Sequence, residues 1–200
     1  MANWDKLNEE LDSALDSMTQ EDWINWKNSC ILDWELHQKI MEKKNKMKKF
    51  TSTKLFDGYS TCFRQWKAED THCKFLHGYA VSFRVWFEGE LDERNWVWDF
   101  GGMKRAKNNI RGVPPKDYFT YLLDHTTIIA EDDPYLEQFR QMDTDGIIRL
   151  RILPATGCER FAEYLYNIIN NFLLVETDGR VKAIKVEVYE HERNSASYGE

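Results

Sequence analysis

From His77 to Phe87 the chain alternates without a break. His77, Tyr79, Val81, Phe83, Val85 and Phe87 fall on one face, and Ser82, Arg84 and Trp86 on the other. A period of two is the signature of a strand with one buried face. A slip of one residue would turn the whole apolar set toward water, so the register of this strand is strongly specified. Its cover is also legible. Phe161, Leu165, Ile168, Ile169, Phe172 and Leu173 recur at helical spacing, as one stripe of a long helix.

Other segments fit the same layered plan. Tyr59, Thr61 and Phe63 alternate with Ser60 and Cys62; Ile148, Leu150 and Ile152 with Arg149 and Arg151; Ile184, Val186 and Val188 with Lys185 and Glu187. Glu88-Gly89-Glu90, Asp145-Gly146 and Asp178-Gly179 read as turns. Trp96 to Phe100 leads into a helix that Asp99 can cap, with Met103, Ala106 and Ile110 as its stripe and Pro114-Pro115 as its end. Gly101-Gly102 is too short and wrongly composed for a phosphate loop, so it reads as tight backbone packing. Tyr118 to Leu123 forms a short helical piece, and Asp132-Asp133-Pro134 starts another helix that ends near Met142. Strand-strand-helix followed by strand-helix-strand predicts an α+β fold, with helices on one face of a largely antiparallel sheet.

Residues 1–50 differ from this. Trp4, Leu7, Leu11, Leu15 and Met18 recur at helical spacing among acids, and Trp23, Trp26, Cys30, Ile31 and Trp34 do so after a helix start at Thr19. Two helices that dock on the main domain or on a neighbouring subunit are expected. The basic run from Lys43 to Lys49 then links them to a domain over 51–192, with 193–200 as a C-terminal tail. A net charge of −7 argues against a nucleic-acid binder. The chain has no apolar stretch of bilayer length and no signal-peptide core at its acidic N-terminus, so no membrane partner is expected. Cys30, Cys62, Cys73 and Cys158 form no Cys-x-x-Cys pair, which points to free thiols in a reducing compartment, the cytoplasm.

Three segments carry chemistry-bearing residues: Cys73-Lys74-Phe75-Leu76-His77-Gly78-Tyr79, Asp124-His125, and Glu159 just before the stripe of the long helix. In this order they resemble the 6-pyruvoyl-tetrahydropterin synthase and 6-carboxytetrahydropterin synthase family, over roughly residues 53–190. The pattern there is a Cys, His-Gly-His four residues on, an Asp-His pair, and a Glu opening the last helix. The resemblance implies the tunnelling fold, in which strand-pair and helix-pair halves assemble into oligomeric barrels, here a hexamer.

It also implies a set of roles. Cys73 would be a general base when ionised. Asp124 would orient His125, which relays a proton from a neighbouring subunit. Glu159 would hold a pterin by two parallel hydrogen bonds to its 2-amino group and ring N–H, with Thr156 beside it. The family usually has Thr two residues before this Glu, where Gly157 stands here. Three histidines hold zinc in the resembling enzymes. Here Phe63 and Tyr79 replace two of them and only His77 is retained, so the zinc site is degraded. The expected function is a pterin-processing lyase acting on a reduced pterin derived from GTP. The alternatives are a non-catalytic pterin- or purine-binding protein, and an interaction protein working through residues 1–50.

Overall fold

The computed structural model describes residues 49–105 and 107–200, together with 19–21, 24, 25, 34 and 35. Met1–Lys48 and Lys49–Glu200 are separate compact units. In the first unit Thr19 precedes helical Gln20 and Glu21, where a helix start is expected, and Ile24, Asn25, Trp34 and Glu35 are helical. Trp4, Leu7, Leu11, Leu15, Met18, Trp23, Trp26, Cys30, Ile31 and residues 43–48 of the basic run lie outside the described residues, as does Ala106.

The second unit begins with two long strands, β1 (Phe50–Phe63) and β2 (His77–Gly89), with a 3-10 turn, His72–Lys74, between them. There follow α1 (Gly102–Arg105), α2 (Pro115–Leu123), β3 (Thr126–Ala130), α3 (Leu136–Thr144), β4 (Leu150–Leu153), α4 (Cys158–Glu176), β5 (Val181–His191) and β6 (Asn194–Gly199). One six-stranded sheet runs in the order β4-β3-β1-β2-β5-β6.

The alternation in β2 does what its pattern predicts. Val81, Phe83, Val85 and Phe87 are fully buried, against the Phe161, Leu165, Ile169 and Leu173 stripe of α4 in one continuous core. Each such side chain contributes about 1.5–3 kcal/mol when removed from water. Phe56 stacks on Phe83 at 4.7 Å, and Phe119 of α2 meets both edge-on at 5.3 and 5.1 Å. Gly58, at φ +83, absorbs the bulge by which β1 shifts register against β2 between Phe56 and Tyr59.

Four expectations need correction. The sheet is mixed: β1–β2, β2–β5 and β5–β6 are antiparallel, but β1–β3 and β3–β4 are parallel. The sequence reading has no strand at Thr126–Ala130. That segment is buried along its whole length, as an interior parallel strand is, and so carries no alternation to detect. The helix after Phe100 is a single turn. Asp99 caps it through the Gly101 N–H at 2.8 Å, but Arg111 and Gly112, at φ +50 and +87, reverse the chain between bridged Ile110 and Val113. Residues read as a tail form β6, which pairs with β5 from Lys185 to His191. Among the described residues no helix is long and apolar enough to cross a membrane.

Candidate functional site

Where β1 ends, Arg64 ties four segments together. Its Nε and Nη2 donate to Asp133 Oδ2 and Oδ1 at 2.8 and 2.9 Å, and Nη1 donates to the Lys74 carbonyl at 3.3 Å. The Thr156 hydroxyl donates to the Arg64 carbonyl at 2.5 Å. The Asp133 side chain is 0% exposed and that of Arg64 16%. Such a pair has to be bidentate and fully bonded to persist away from water, and Asp133 Oδ1 also accepts the Tyr135 N–H at 2.9 Å. Next in the chain, the Gln65 N–H donates to the Cys73 carbonyl at 2.8 Å. Sequence reasoning assigned no role to Arg64 or Gln65 and read Asp133 only as part of a helix start. An ion pair across 69 residues leaves no periodic trace.

Cys73 sits half-buried in the 3-10 turn, where its N–H donates to the Thr71 hydroxyl at 3.2 Å. At the start of β2, His77 Nδ1 lies 2.7 Å from the Phe75 carbonyl. A carbonyl only accepts, so Nδ1 carries the proton and Nε2 accepts the Tyr79 hydroxyl. Tyr79 stacks on Phe63, with centroids 4.2 Å apart, and Phe63 meets Phe161 edge-on at 5.0 Å. Burial, and then the nearby charges of Glu190 and Cys73, push the Tyr79 phenol up to about 12. It is a neutral donor across the ordinary pH range.

The first turn of α4 completes this side. Gly157 has φ +114, and a Cβ there would collide with the Gln65 amide. A threonine, as in the resembling enzymes, cannot take this backbone conformation. Cys158 is buried, and burial followed by the charges of Glu190 and Glu159 raises its thiol to about 12. Glu159 is exposed at the N-terminus of this 19-residue helix, where the helix dipole favours its charge. It makes no hydrogen bond or ion pair among the described residues. The hydroxyl of Thr156 is committed to Arg64, so Thr156 positions the loop before Glu159. The turn that carries Cys73 and the loop before Glu159 are thus linked through Arg64 and Gln65.

Asp124 and His125 follow α2. Asp124 Oδ1 accepts the Ser60 N–H at 3.2 Å and lies 3.0 Å from His125 Nδ1. His125 holds φ +53, the left-handed position after a helix end that glycine usually takes. Its imidazole is 74% exposed. It lines a cavity of about 450 Å³ with Ser60, Cys62, Gly78, Thr127 and Arg149. Cys62 and Gly78 alternate with Phe63 and Tyr79, so this cavity opens on the sheet face away from them. Within one chain the Asp124–His125 pair and the Cys73–Glu159 group are on different sides of the sheet.

A three-imidazole zinc site does not fit these residues. One ligand position holds the phenyl ring of Phe63, stacked on a second aromatic ring. His77 has both nitrogens engaged, one of them by the residue at the third position. Among the described residues, no group of three or more His, Cys, Asp or Glu could hold a metal.

A family model described as 6-pyruvoyl tetrahydropterin synthase matches residues 51–200. The chain belongs to that family. No curated protein matches it. Among solved structures, an uncharacterised protein from Wolinella succinogenes superposes with a TM-score of 0.61 at 18% identity, covering 76% of this chain and 98% of that one. The 6-pyruvoyl tetrahydropterin synthase of Caenorhabditis elegans gives 0.51 at 17% identity, covering 78% and 98%. The synthase of Plasmodium vivax gives 0.50 at 15%, covering 76% and 98%. The curled sheet with helices on one face is the tunnelling fold of these structures.

Proposed function

We propose that this family member binds and processes a reduced pterin at the site around Glu159, without the three-histidine zinc chemistry. The observation that carries this is the Glu159 carboxylate. It is exposed at the start of α4 with no partner among the described residues, beside a glycine whose conformation leaves room for Gln65. Its two oxygens can accept in parallel from the 2-amino group and ring N–H of a pterin. The names of the nematode and Plasmodium synthases support a pterin as ligand.

The reaction would be a proton transfer or side-chain cleavage on a GTP-derived pterin. Cys73, as thiolate, takes a proton from a side-chain carbon. His125, oriented by Asp124, exchanges a proton on the other side of the substrate. Because the pair and the thiol lie on different sides of the sheet in one chain, a second copy must bring His125 to Glu159, which makes the active form a homo-oligomer. The tautomer of His77 is held by Phe75 and Tyr79, which suits orienting the substrate. A second reading, a pterin- or purine-binding protein without turnover, is favoured by one observation: Phe63, His77 and Tyr79 form a closed, mutually bonded set where the family has its metal ligands.

Calorimetry with 7,8-dihydroneopterin on the full chain tests the site. Glu159→Gln should weaken binding on the order of 100-fold, because two charge-assisted hydrogen bonds are weakened together. Unchanged affinity would remove Glu159 as the anchor. Cys73→Ala should keep binding and abolish turnover of dihydroneopterin triphosphate. If the wild type binds but never turns over, the second reading stands. Stoichiometric zinc in the purified protein would overturn the metal-free account.

A further inference from the structure

Between α2, α3 and the edge strand β4 lies a cavity of about 500 Å³, a size that suits a small ligand. Its wall carries three arginines, Arg111, Arg140 and Arg151, against one carboxylate, Asp143. Arg140 already meets Glu137 at 3.2 Å, and Asp143 Oδ1 accepts the Leu150 N–H at 2.9 Å. Arg111 and Arg151 pair with no carboxylate among the described residues, so two cations of the wall have no partner acid.

Arg151 is held in one geometry. Its Nε donates to the Tyr121 carbonyl at 2.7 Å and its Nη1 to the Leu150 carbonyl at 2.8 Å. Its guanidinium stacks on the Tyr121 ring, 3.7 Å from the centroid. The rotamer freedom that an anion would have to remove is thus already lost in folding, while the charge is not neutralised. Arg111 reaches the same wall from a separate segment, the turn before α2, where it holds φ +50. Tyr118 and Tyr164 also line the cavity, and their hydroxyls lie 2.6 Å apart. One hydroxyl donates to the other, which leaves one hydroxyl hydrogen without an acceptor among the described residues. Burial, then the bond to Tyr164, holds the Tyr118 phenol above its ordinary value, so Tyr118 keeps its proton across the ordinary pH range.

Guanidiniums on two separate segments can each bond a different oxygen of a tetrahedral phosphate, and its second charge near neutral pH matches the second cation. A planar carboxylate brings one charge and suits the fork of a single arginine. Tyr121, Leu122, Ile152 and Leu153 give an apolar wall for the rest of such a molecule.

We propose that this cavity binds a small organic phosphate monoester, its phosphate held by Arg111 and Arg151 and its carbon part lying against the apolar wall. No residue of that wall belongs to the group around Glu159, so the site is separate from the one for a pterin.

Calorimetry of the full chain at about pH 8, where phenyl phosphate is a dianion, tests the proposal, with phenol as the same ring lacking the phosphate. One saturable site for phenyl phosphate is expected, with phenol roughly tenfold weaker or more. Arg151→Gln should lower phenyl phosphate affinity roughly 10- to 100-fold, as loss of charge-assisted hydrogen bonds requires. Arg111→Gln should lower it roughly tenfold. Arg111 is exposed and its side chain makes no hydrogen bond among the described residues, so this variant guards against misfolding of the other. Glu159→Gln should leave the affinity unchanged, which keeps failure here distinct from failure of the pterin reading. The proposal is overturned by absence of saturable binding, by equal affinity for the two compounds, or by unchanged affinity in either arginine variant. It is also overturned if Glu159→Gln abolishes the binding, which would put phenyl phosphate in the pterin site.

Discussion

At the Phe63 end of the β1–β2 pair, the buried polar groups close on one another. Arg64 is bonded to Asp133, Lys74 and Thr156, and His77 to Phe75 and Tyr79. At the Phe50 end, Trp98 Nε1 and Ser52 Oγ are buried with no hydrogen-bond partner among the described residues. The same two strands thus finish in a self-satisfied polar frame at one end and among aromatic side chains with two unbonded buried polar atoms at the other. A satisfied frame holds side chains in one geometry, which positioning a carboxylate and a thiol demands.

Substitutions can break this contrast. The largest effect is expected at Asp133. Asp133→Ala leaves the Arg64 guanidinium buried without its carboxylate and should cost about 3–5 kcal/mol, read from urea denaturation. A loss below ~1 kcal/mol would mean that Arg64 finds water and that the frame is not closed.

Alkaline titration comes next. Burial, then the charges of Asp57 and Asp124, raises Tyr59 to about 12. The unfolded phenol ionises near 10, so the unfolded state gives up its proton first. The stabilisation is complete below pH 10 and is lost as pH rises through the window from 10 to 12. On the order of 2 kcal/mol should disappear there through Tyr59, with Tyr79 at the closed end acting in the same direction. Tyr59→Phe should flatten that part of the pH–stability curve.

Tyr79→Phe removes one hydrogen bond to His77 while keeping the ring stack on Phe63, and about 1 kcal/mol should be lost. An NMR titration of His77 should then find Nε2 open to solvent. Ser52→Ala marks the opposite extreme. It deletes a hydroxyl that has no partner among the described residues, so stability should stay within about 0.5 kcal/mol or rise slightly. A loss comparable with that of Tyr79→Phe would show that Ser52 is bonded after all and would erase the contrast.

How much of this was legible beforehand varied with the kind of signal. The faces of β2 and α4 were readable because their periods are long and unbroken. The strand at Thr126–Ala130 was not, because burial on both faces removes alternation. Among candidate site residues, Cys73, His77 and Glu159 fell where local patterns put them, at a strand start and a helix start. Arg64, Gln65 and Asp133 escaped notice, because their roles come from contacts between segments 8 or more residues apart. Gly157 was visible as a departure from the family pattern, and its φ of +114 supplies the reason.

By itself the sequence determined which faces of β2 and α4 are apolar, the places of most strands and helices, and the family. Those depend on residue type and local spacing, which the chain carries with it. Tertiary structure alone decided that the sheet is mixed, that residues 194–199 join it, and that the Asp124–His125 pair lies across the sheet from Cys73. It also decided that Phe63, His77 and Tyr79 lock together and that Trp98 Nε1 and Ser52 Oγ find no hydrogen-bond partner among the described residues. Strand pairing and hydrogen bonding join residues far apart in the chain, and their geometry exists only once the layers have packed.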